Sequence, residues 1–143
     1  MKIIRLTVVL LFALLLALTA CAGKRGANSP MLAQVGDEYW MLDLDATAGV
    51  NEEFRAMLEE FGDEMRKDFQ DLSILIDTKA KTIFYYGPNR ELEMEEAYEV
   101  VSEDKTQATV RVSEYETYVF TLEKGMLRMT WDDGSSLMLR PVK

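Results

Sequence analysis

The chain has 143 residues, with 25 acidic against 16 basic side chains and a formal net charge of −9 at pH 7. A chain this acidic lacks the basic surface that nucleic-acid phosphates require, so we expect no nucleic-acid partner. It has no histidine and a single cysteine, Cys21, which argues against Ser/His/Asp and Cys/His catalysis and against the usual zinc sites. Carboxylate and Ser/Lys chemistry stay open, but neither has a recognisable signature here, so an enzyme is the third alternative. We expect a protein that is not an enzyme and has no metal site or cofactor.

Residues 1–20 have the features of a signal peptide. Lys2 and Arg5 precede an apolar run from Leu6 to Leu18. This run is shorter than the about 20 apolar residues that a membrane-spanning helix needs, and it suits a signal-peptide core. Its removal leaves 123 residues with 14 basic and 25 acidic side chains, a formal charge of −11. That length predicts a single domain.

The signal peptide runs into Leu18-Thr19-Ala20-Cys21, which resembles the bacterial lipobox. The resemblance implies cleavage before Cys21 and acylation of both its thiol and the new amino terminus with fatty acids such as palmitate. Two or more acyl chains hold a protein stably on a membrane, whereas one binds reversibly. No aspartate follows Cys21, which favours the periplasmic side of the outer membrane if the host has two membranes. An unmodified thiol or an uncleaved anchor is the less favoured alternative.

The lipidated segment is predicted to lead into one folded domain. Residues 21–35 are small, polar and punctuated by glycine and proline, which predicts a flexible tether. The domain is predicted to span residues 36–143 and to begin with a strand. In that strand, Trp40, Leu42 and Leu44 fall on one face.

An amphipathic helix is predicted next. Asn51 offers an N-cap, and Glu52 and Glu53 suit the positive end of the helix dipole. Apolar residues then recur three or four positions apart, at Phe54, Met57, Leu58, Phe61, Met65 and Phe69. We expect this stripe to pack on the protein's own sheet, and the alternative is that it docks a partner helix or lipid.

The chain after Leu72 alternates between strand-forming segments and turns. The predicted strands are 72–77, 81–86, 91–101, 106–112, 117–122, 126–131 and 136–139. With the first strand this makes about seven or eight. The predicted fold class is therefore α+β or mainly β, an antiparallel β-meander that forms a barrel or half-barrel packed with one amphipathic helix.

The segment 91–101 contains an exception to its own alternation. Glutamates occupy one face at positions 91, 93, 95 and 99, and apolar residues occupy most of the other, but Glu96 falls on the apolar face. Glu96 is either a ligand-pocket or acid/base carboxylate or, as we favour, a residue that reaches water at a bulge or strand end. The other glutamates are predicted to be solvated and to discourage edge-to-edge pairing.

The stretch from Asp43 to Glu53 partly resembles an EF-hand calcium loop, because oxygen-bearing side chains alternate along it. Glycine and the last glutamate fall at positions seven and eleven, whereas the true loop needs them at six and twelve. We expect helix capping here instead of metal binding.

The strands carry aromatic residues whose positions predict a shared interior: Trp40, Phe84, Tyr86, Tyr98, Tyr118, Phe120 and Trp131. Tyr85 and Tyr115 are predicted to face outward. The inward set either fills a core, which we favour, or lines a pocket. In the second case the candidate ligand-binding residues are Trp40, Glu96, Tyr98, Tyr118 and Trp131.

The order of lipobox, tether, tryptophan-bearing strand, helix and meander resembles the lipocalin-like lipoproteins of bacteria. Glu38-Tyr39-Trp40 supplies the tryptophan that true lipocalins carry near their start, without the glycine two residues before it. The resemblance implies a barrel or strongly curved sheet with a cavity for a small apolar molecule. Fold alone does not fix function.

Two hypotheses for function follow from this sequence. The first is a membrane-anchored envelope protein that binds a small hydrophobic or amphiphilic ligand. The second is an accessory lipoprotein that docks on another envelope protein through a sheet face or edge. A concave apolar pocket favours the first and an exposed apolar patch the second. In both, the acyl chains on Cys21 are the contact with the membrane.

Overall fold

The computed structural model describes residues 29–142. The predicted signal peptide, Cys21 with its lipobox, and the predicted tether as far as residue 28 lie outside the described residues. The helices are α1 (Met31–Val35), α2 (Leu44–Val50) and α3 (Glu52–Phe69), and Pro88–Arg90 forms a single 3₁₀ turn.

Nine strands form one antiparallel sheet. They are β1 (Tyr39–Leu42), β2 (Ser73–Asp77), β3 (Thr82–Tyr86), β4 (Leu92–Ala97), β5 (Glu99–Glu103), β6 (Gln107–Ser113), β7 (Glu116–Glu123), β8 (Met126–Trp131) and β9 (Ser136–Pro141). The strand order is β4-β3-β2-β1-β9-β8-β7-β6-β5, so the last strand returns to pair with the first. Met41 of β1 faces Arg140 of β9 across that pair.

The two end strands of the sheet, β4 and β5, are joined by the single residue Tyr98. β4 pairs with β3 and β5 pairs with β6, so the sheet curls into a nearly closed barrel of lipocalin-like shape. The predicted mainly β meander is confirmed. The structure has nine strands, not seven or eight, because the segment predicted as one strand, 91–101, bends at Tyr98.

Alternate residues of the strands fill the barrel. The largest fully buried strand side chains are Phe120, Ile76, Ile83, Leu127, Met129 and Val110. Each such side chain contributes roughly 1.5–3 kcal/mol when it leaves water. Buried and less buried residues alternate regularly in β7 and β8, which is why these two strands could be predicted from the sequence.

The helix α1 closes the end of the barrel at which β2 and β5 finish. Met31 and Val35 are fully buried, and the Met31 amide donates to the Asp104 carbonyl at 2.8 Å. The Leu32 amide donates to Glu103 Oε2 at 2.7 Å. The prediction that the tether continues to residue 35 is therefore wrong for 31–35. The helix was missed because it is a single apolar turn that follows small, polar residues and because its packing partners are distant in the sequence.

The helices α2 and α3 fill the connection between β1 and β2 at the opposite end. Asp43 caps α2 by accepting from the Ala46 amide at 2.9 Å. Asn51 caps α3 by accepting from the Phe54 amide at 3.0 Å, as predicted. The stretch that partly resembles a calcium loop thus consists largely of the helix α2 and two helix caps.

The apolar stripe of α3 is only partly used for packing. Phe54 packs against the barrel core and Met65 is buried, but Met57, Phe61 and Phe69 are 40%, 51% and 36% exposed. The expectation that the whole stripe packs on the sheet is wrong for these three. Gly62 has non-helical backbone angles (φ 20°, ψ −96°), so the helix kinks and its second half follows a different direction.

Candidate functional site

An apolar cavity of about 370 Å³ opens at the end of the barrel that carries α2 and α3. It lies where β1, β3 and β8 finish and where β2, β4 and β9 begin. Its apolar wall includes Leu42, Ile74, Met129, Leu137 and Leu139. The volume falls within the range of small-molecule sites, about 300–1,000 Å³.

The rim of the cavity is more polar and more exposed. Ser73, Tyr85, Tyr86 and Glu93 are the polar and charged residues of the lining, and Trp131 adds an aromatic residue. Met94 lines the cavity while remaining 48% exposed, so this side is accessible to solvent.

Glu96 accepts hydrogen bonds from two tyrosines beside this cavity. Tyr85 Oη donates to Glu96 Oε2 at 2.7 Å, and Tyr118 Oη lies 3.0 Å from the same oxygen and 3.2 Å from Glu116 Oε1. The cavity-lining Tyr85 thus connects Glu96 to the wall. Glu96 pairs in register with Ile83, and the register shift between β3 and β4 lies at Tyr85/Tyr86. No bulge therefore lies at Glu96, but the residue stands one position before the end of β4 and stays half-exposed, in agreement with the strand-end form of the favoured interpretation.

Burial is the largest influence on the pKa of each of the two tyrosines. It raises the pKa of Tyr85 and of Tyr118, and the hydrogen bonds to Glu96 raise both pKa values further. A phenol with a raised pKa is a hydrogen-bond donor throughout the physiological pH range. The donors are directed at Glu96, so the cluster is held in one arrangement.

Trp131 completes this group. Its ring lines the cavity and meets the ring of Tyr118 edge to face, with centroids 5.9 Å apart and an interplanar angle of 70°. The structure therefore brings three of the five candidate binding residues together: Glu96, Tyr118 and Trp131.

Trp40 and Tyr98 lie at the other end of the barrel. The Trp40 indole N–H donates to the Val35 carbonyl at 2.9 Å, which fixes α1 in place. Tyr98 is buried, and its hydroxyl lies 3.5 Å from the Asp77 carbonyl. Burial, with a smaller contribution from the charge of Asp77, raises the pKa of Tyr98 to about 12. These two residues hold the closed end of the barrel.

Tyr85 is the site residue that the sequence misplaced. The prediction that it faces outward is wrong, because Ile83 and Tyr85 face the interior and Phe84 and Tyr86 lie on the other face of β3. Tyr86 instead packs against Tyr39, with ring centroids 5.3 Å apart. The run Ile83 to Tyr86 is apolar or aromatic on both faces, so the sequence does not show which face of the strand points to the interior.

Among residues 29–142, no group of three acidic, histidine or cysteine side chains is arranged to hold a metal ion. Within the same residues, no helix combines the length and apolar character needed to cross a bilayer. Comparisons of the chain with protein-family models, with curated proteins and with solved structures gave no match.

Proposed function

We propose that this protein is an envelope lipoprotein that binds a small hydrophobic or amphiphilic molecule and is not an enzyme. One observation carries the proposal: an apolar cavity of about 370 Å³ whose lining includes a few polar residues, Ser73, Tyr85, Tyr86 and Glu93. Ligand sites usually combine an apolar lining with a few polar groups that orient the ligand. The lipocalin-like shape of the barrel fits this role, and the resemblance to lipocalin-like lipoproteins adds to it.

The anchoring part of the proposal rests on the sequence around Cys21. Acyl chains on this residue would hold the protein on the membrane, at the periplasmic side of the outer membrane in a host with two membranes. Cys21→Ser is expected to move the protein out of the membrane fraction and to remove the acyl mass. Unchanged fractionation and mass in this variant would rule out lipidation at Cys21.

Native mass spectrometry tests the binding part. Residues 22–143, secreted in the native host and purified without detergent, are expected to carry a reproducible added mass that denaturation releases. Leu137→Trp, which places a large side chain in the cavity wall, should abolish that mass. Thr121→Trp, on the outward face of β7, is the matched control. Retention of the added mass in Leu137→Trp would argue against the cavity as the site.

The second candidate function is docking on another envelope protein through a sheet face or edge. It is favoured by exposed apolar residues on the end strands of the sheet, since Leu92 is 53% and Val101 is 52% exposed. Large exposed apolar patches are typical of interaction surfaces. Leu92→Lys with Val101→Lys should then abolish crosslinking to a partner in intact envelopes and leave the ligand mass unchanged.

A further inference from the structure

The charged groups around the cavity are of one sign. Of the residues that line it, Glu93 is the only one charged at neutral pH, and neither lysine nor arginine contributes to its wall. Two more carboxylates, Glu96 and Glu116, lie directly behind the tyrosines. Arg90 has its guanidinium over the ring of Tyr39, 5.7 Å from the ring centre, and Tyr39 lies on the outward face of β1.

The Tyr85 hydroxyl in this wall and the Tyr118 hydroxyl behind it are already used as donors, since both point at Glu96. A carboxylate on a ligand would meet the negative charge of Glu93 and Glu96 without a cationic partner in the wall. A buried anion without a partner is strongly disfavoured.

A cationic headgroup meets the opposite situation. An ammonium group has donors only, and the oxygens of the lining residues Glu93, Tyr85 and Tyr86 are acceptors. The charge of Glu96 lies behind Tyr85. The Trp131 ring at the same wall adds an aromatic face, which attracts cations. The apolar wall opposite takes the hydrocarbon part of such a molecule.

We infer that the cavity selects cationic amphiphiles, such as a primary amine on a short alkyl chain, over fatty acids of the same chain length. This inference rests on the proposed function, because it names the ligand class of the same cavity. Glu93 at the rim accepts from the headgroup, and Glu96 adds its negative charge from behind Tyr85.

The experiment compares decylamine, decanol and decanoate on the mature acylated protein in nanodiscs of zwitterionic lipid. Native mass spectrometry of the protein released from the nanodiscs counts the bound molecules during a titration. Decylamine is expected to bind at least about tenfold more tightly than decanoate, with decanol between them. Equal binding of decylamine and decanoate overturns the charge preference while the binding cavity stands. Absence of binding by all three overturns the proposed function and this inference together.

Variants locate the preference. Glu96→Gln is expected to lower the ratio of amine to acid affinity by about tenfold, since it removes one charge and keeps the shape. Glu95→Gln, on the outward and exposed face of the same strand, is the control and should leave the ratio unchanged. If Glu96→Gln does not fold, the same affinity ratio is measured in Glu93→Gln, at the rim of the cavity. A ratio unchanged in both cavity variants would contradict the assignment of these carboxylates.

Discussion

The hydroxyl of Thr47 both donates to the main-chain carbonyl of Met138 and accepts from its amide, at 3.3 Å and 2.9 Å. Four residues later on the chain, the side chain of Asn51 donates to the carbonyl of Ser136 at 3.2 Å. β1 ends at Leu42, opposite Leu139. On the side of β9 that faces away from β8, the residues from Met138 back to Ser136 therefore have no strand beside them. These two side chains and the Asp43 amide, which donates to the Met138 carbonyl at 2.9 Å, supply hydrogen bonds that a neighbouring strand would otherwise make.

Thr47→Val tests this replacement of a strand by side chains. Valine keeps the size of the fully buried Thr47 but leaves the Met138 amide without its acceptor. We expect the free energy of unfolding to fall by about 1–3 kcal/mol. Thr47→Ser keeps the hydroxyl and should cost less. Urea denaturation measures both, and a valine variant as stable as the serine variant would show that the hydroxyl is dispensable.

Gly36→Ala tests the fit of α1 against the barrel. A Cβ at Gly36 would lie 2.7 Å from the Leu32 carbonyl and would clash with Thr78 Cγ2. We expect a loss of about 1–3 kcal/mol in unfolding free energy, because main chain must shift to make room. Gly49→Ala in α2 is the control, since a Cβ there has no neighbour within 4 Å and alanine should stabilise the helix by up to about 1 kcal/mol. Equal thermal stability of the two variants would contradict the packing described for α1.

A double-mutant cycle tests the hydrogen bond between Tyr118 and Glu96. Tyr118→Phe alone should cost about 1 kcal/mol in unfolding free energy. Combined with Glu96→Gln, the two losses should fall short of additivity by at least about 0.5 kcal/mol, because Glu96→Gln weakens the same hydrogen bond that Tyr118→Phe removes. Tyr118 also donates to Glu116, and the cycle isolates the part that depends on Glu96. Strict additivity would mean that the two groups are not coupled.

Alkaline pH should destabilise the fold through its buried tyrosines. In the unfolded chain tyrosine ionises near pH 10, whereas burial raises the pKa of Tyr98 to about 12 and also raises those of Tyr85 and Tyr118. Above about pH 10 the unfolded chain therefore holds fewer protons than the folded one, so the unfolding free energy falls with rising pH. For Tyr98 this fall continues to about pH 12. Denaturation from about pH 9 upward measures it; a stability that stays constant beyond pH 10 would contradict it.

Much of the fold could be predicted because its signals are local. β8 has the predicted bounds, 126–131, and the turn before it is made by Lys124 and Gly125, which both have positive φ as a tight hairpin turn requires. The cap at Asn51 was also legible, since an N-cap depends on residues three positions away.

The site was harder to predict because it depends on pairing between distant strands. Glu96 meets Tyr85 eleven positions away and Tyr118 twenty-two positions away. Shifting the inward face of β3 by one residue turns Tyr85 outward. The sequence prediction made this error when it placed Phe84 and Tyr86 inward. Likewise, α1 has only one apolar turn, and nothing in its own sequence shows that the barrel end will bury it.

The position of α1 decides which part of the barrel an anchor at Cys21 would restrain. In a protein held by Cys21, as proposed, the chain from the anchor to Met31 can reach no more than about 35 Å even when fully extended. Because α1 sits in the closed end of the barrel, that end would stay within about 35 Å of the bilayer. The mouth of the cavity, at the opposite end, would be the part of the barrel that the anchor restrains least.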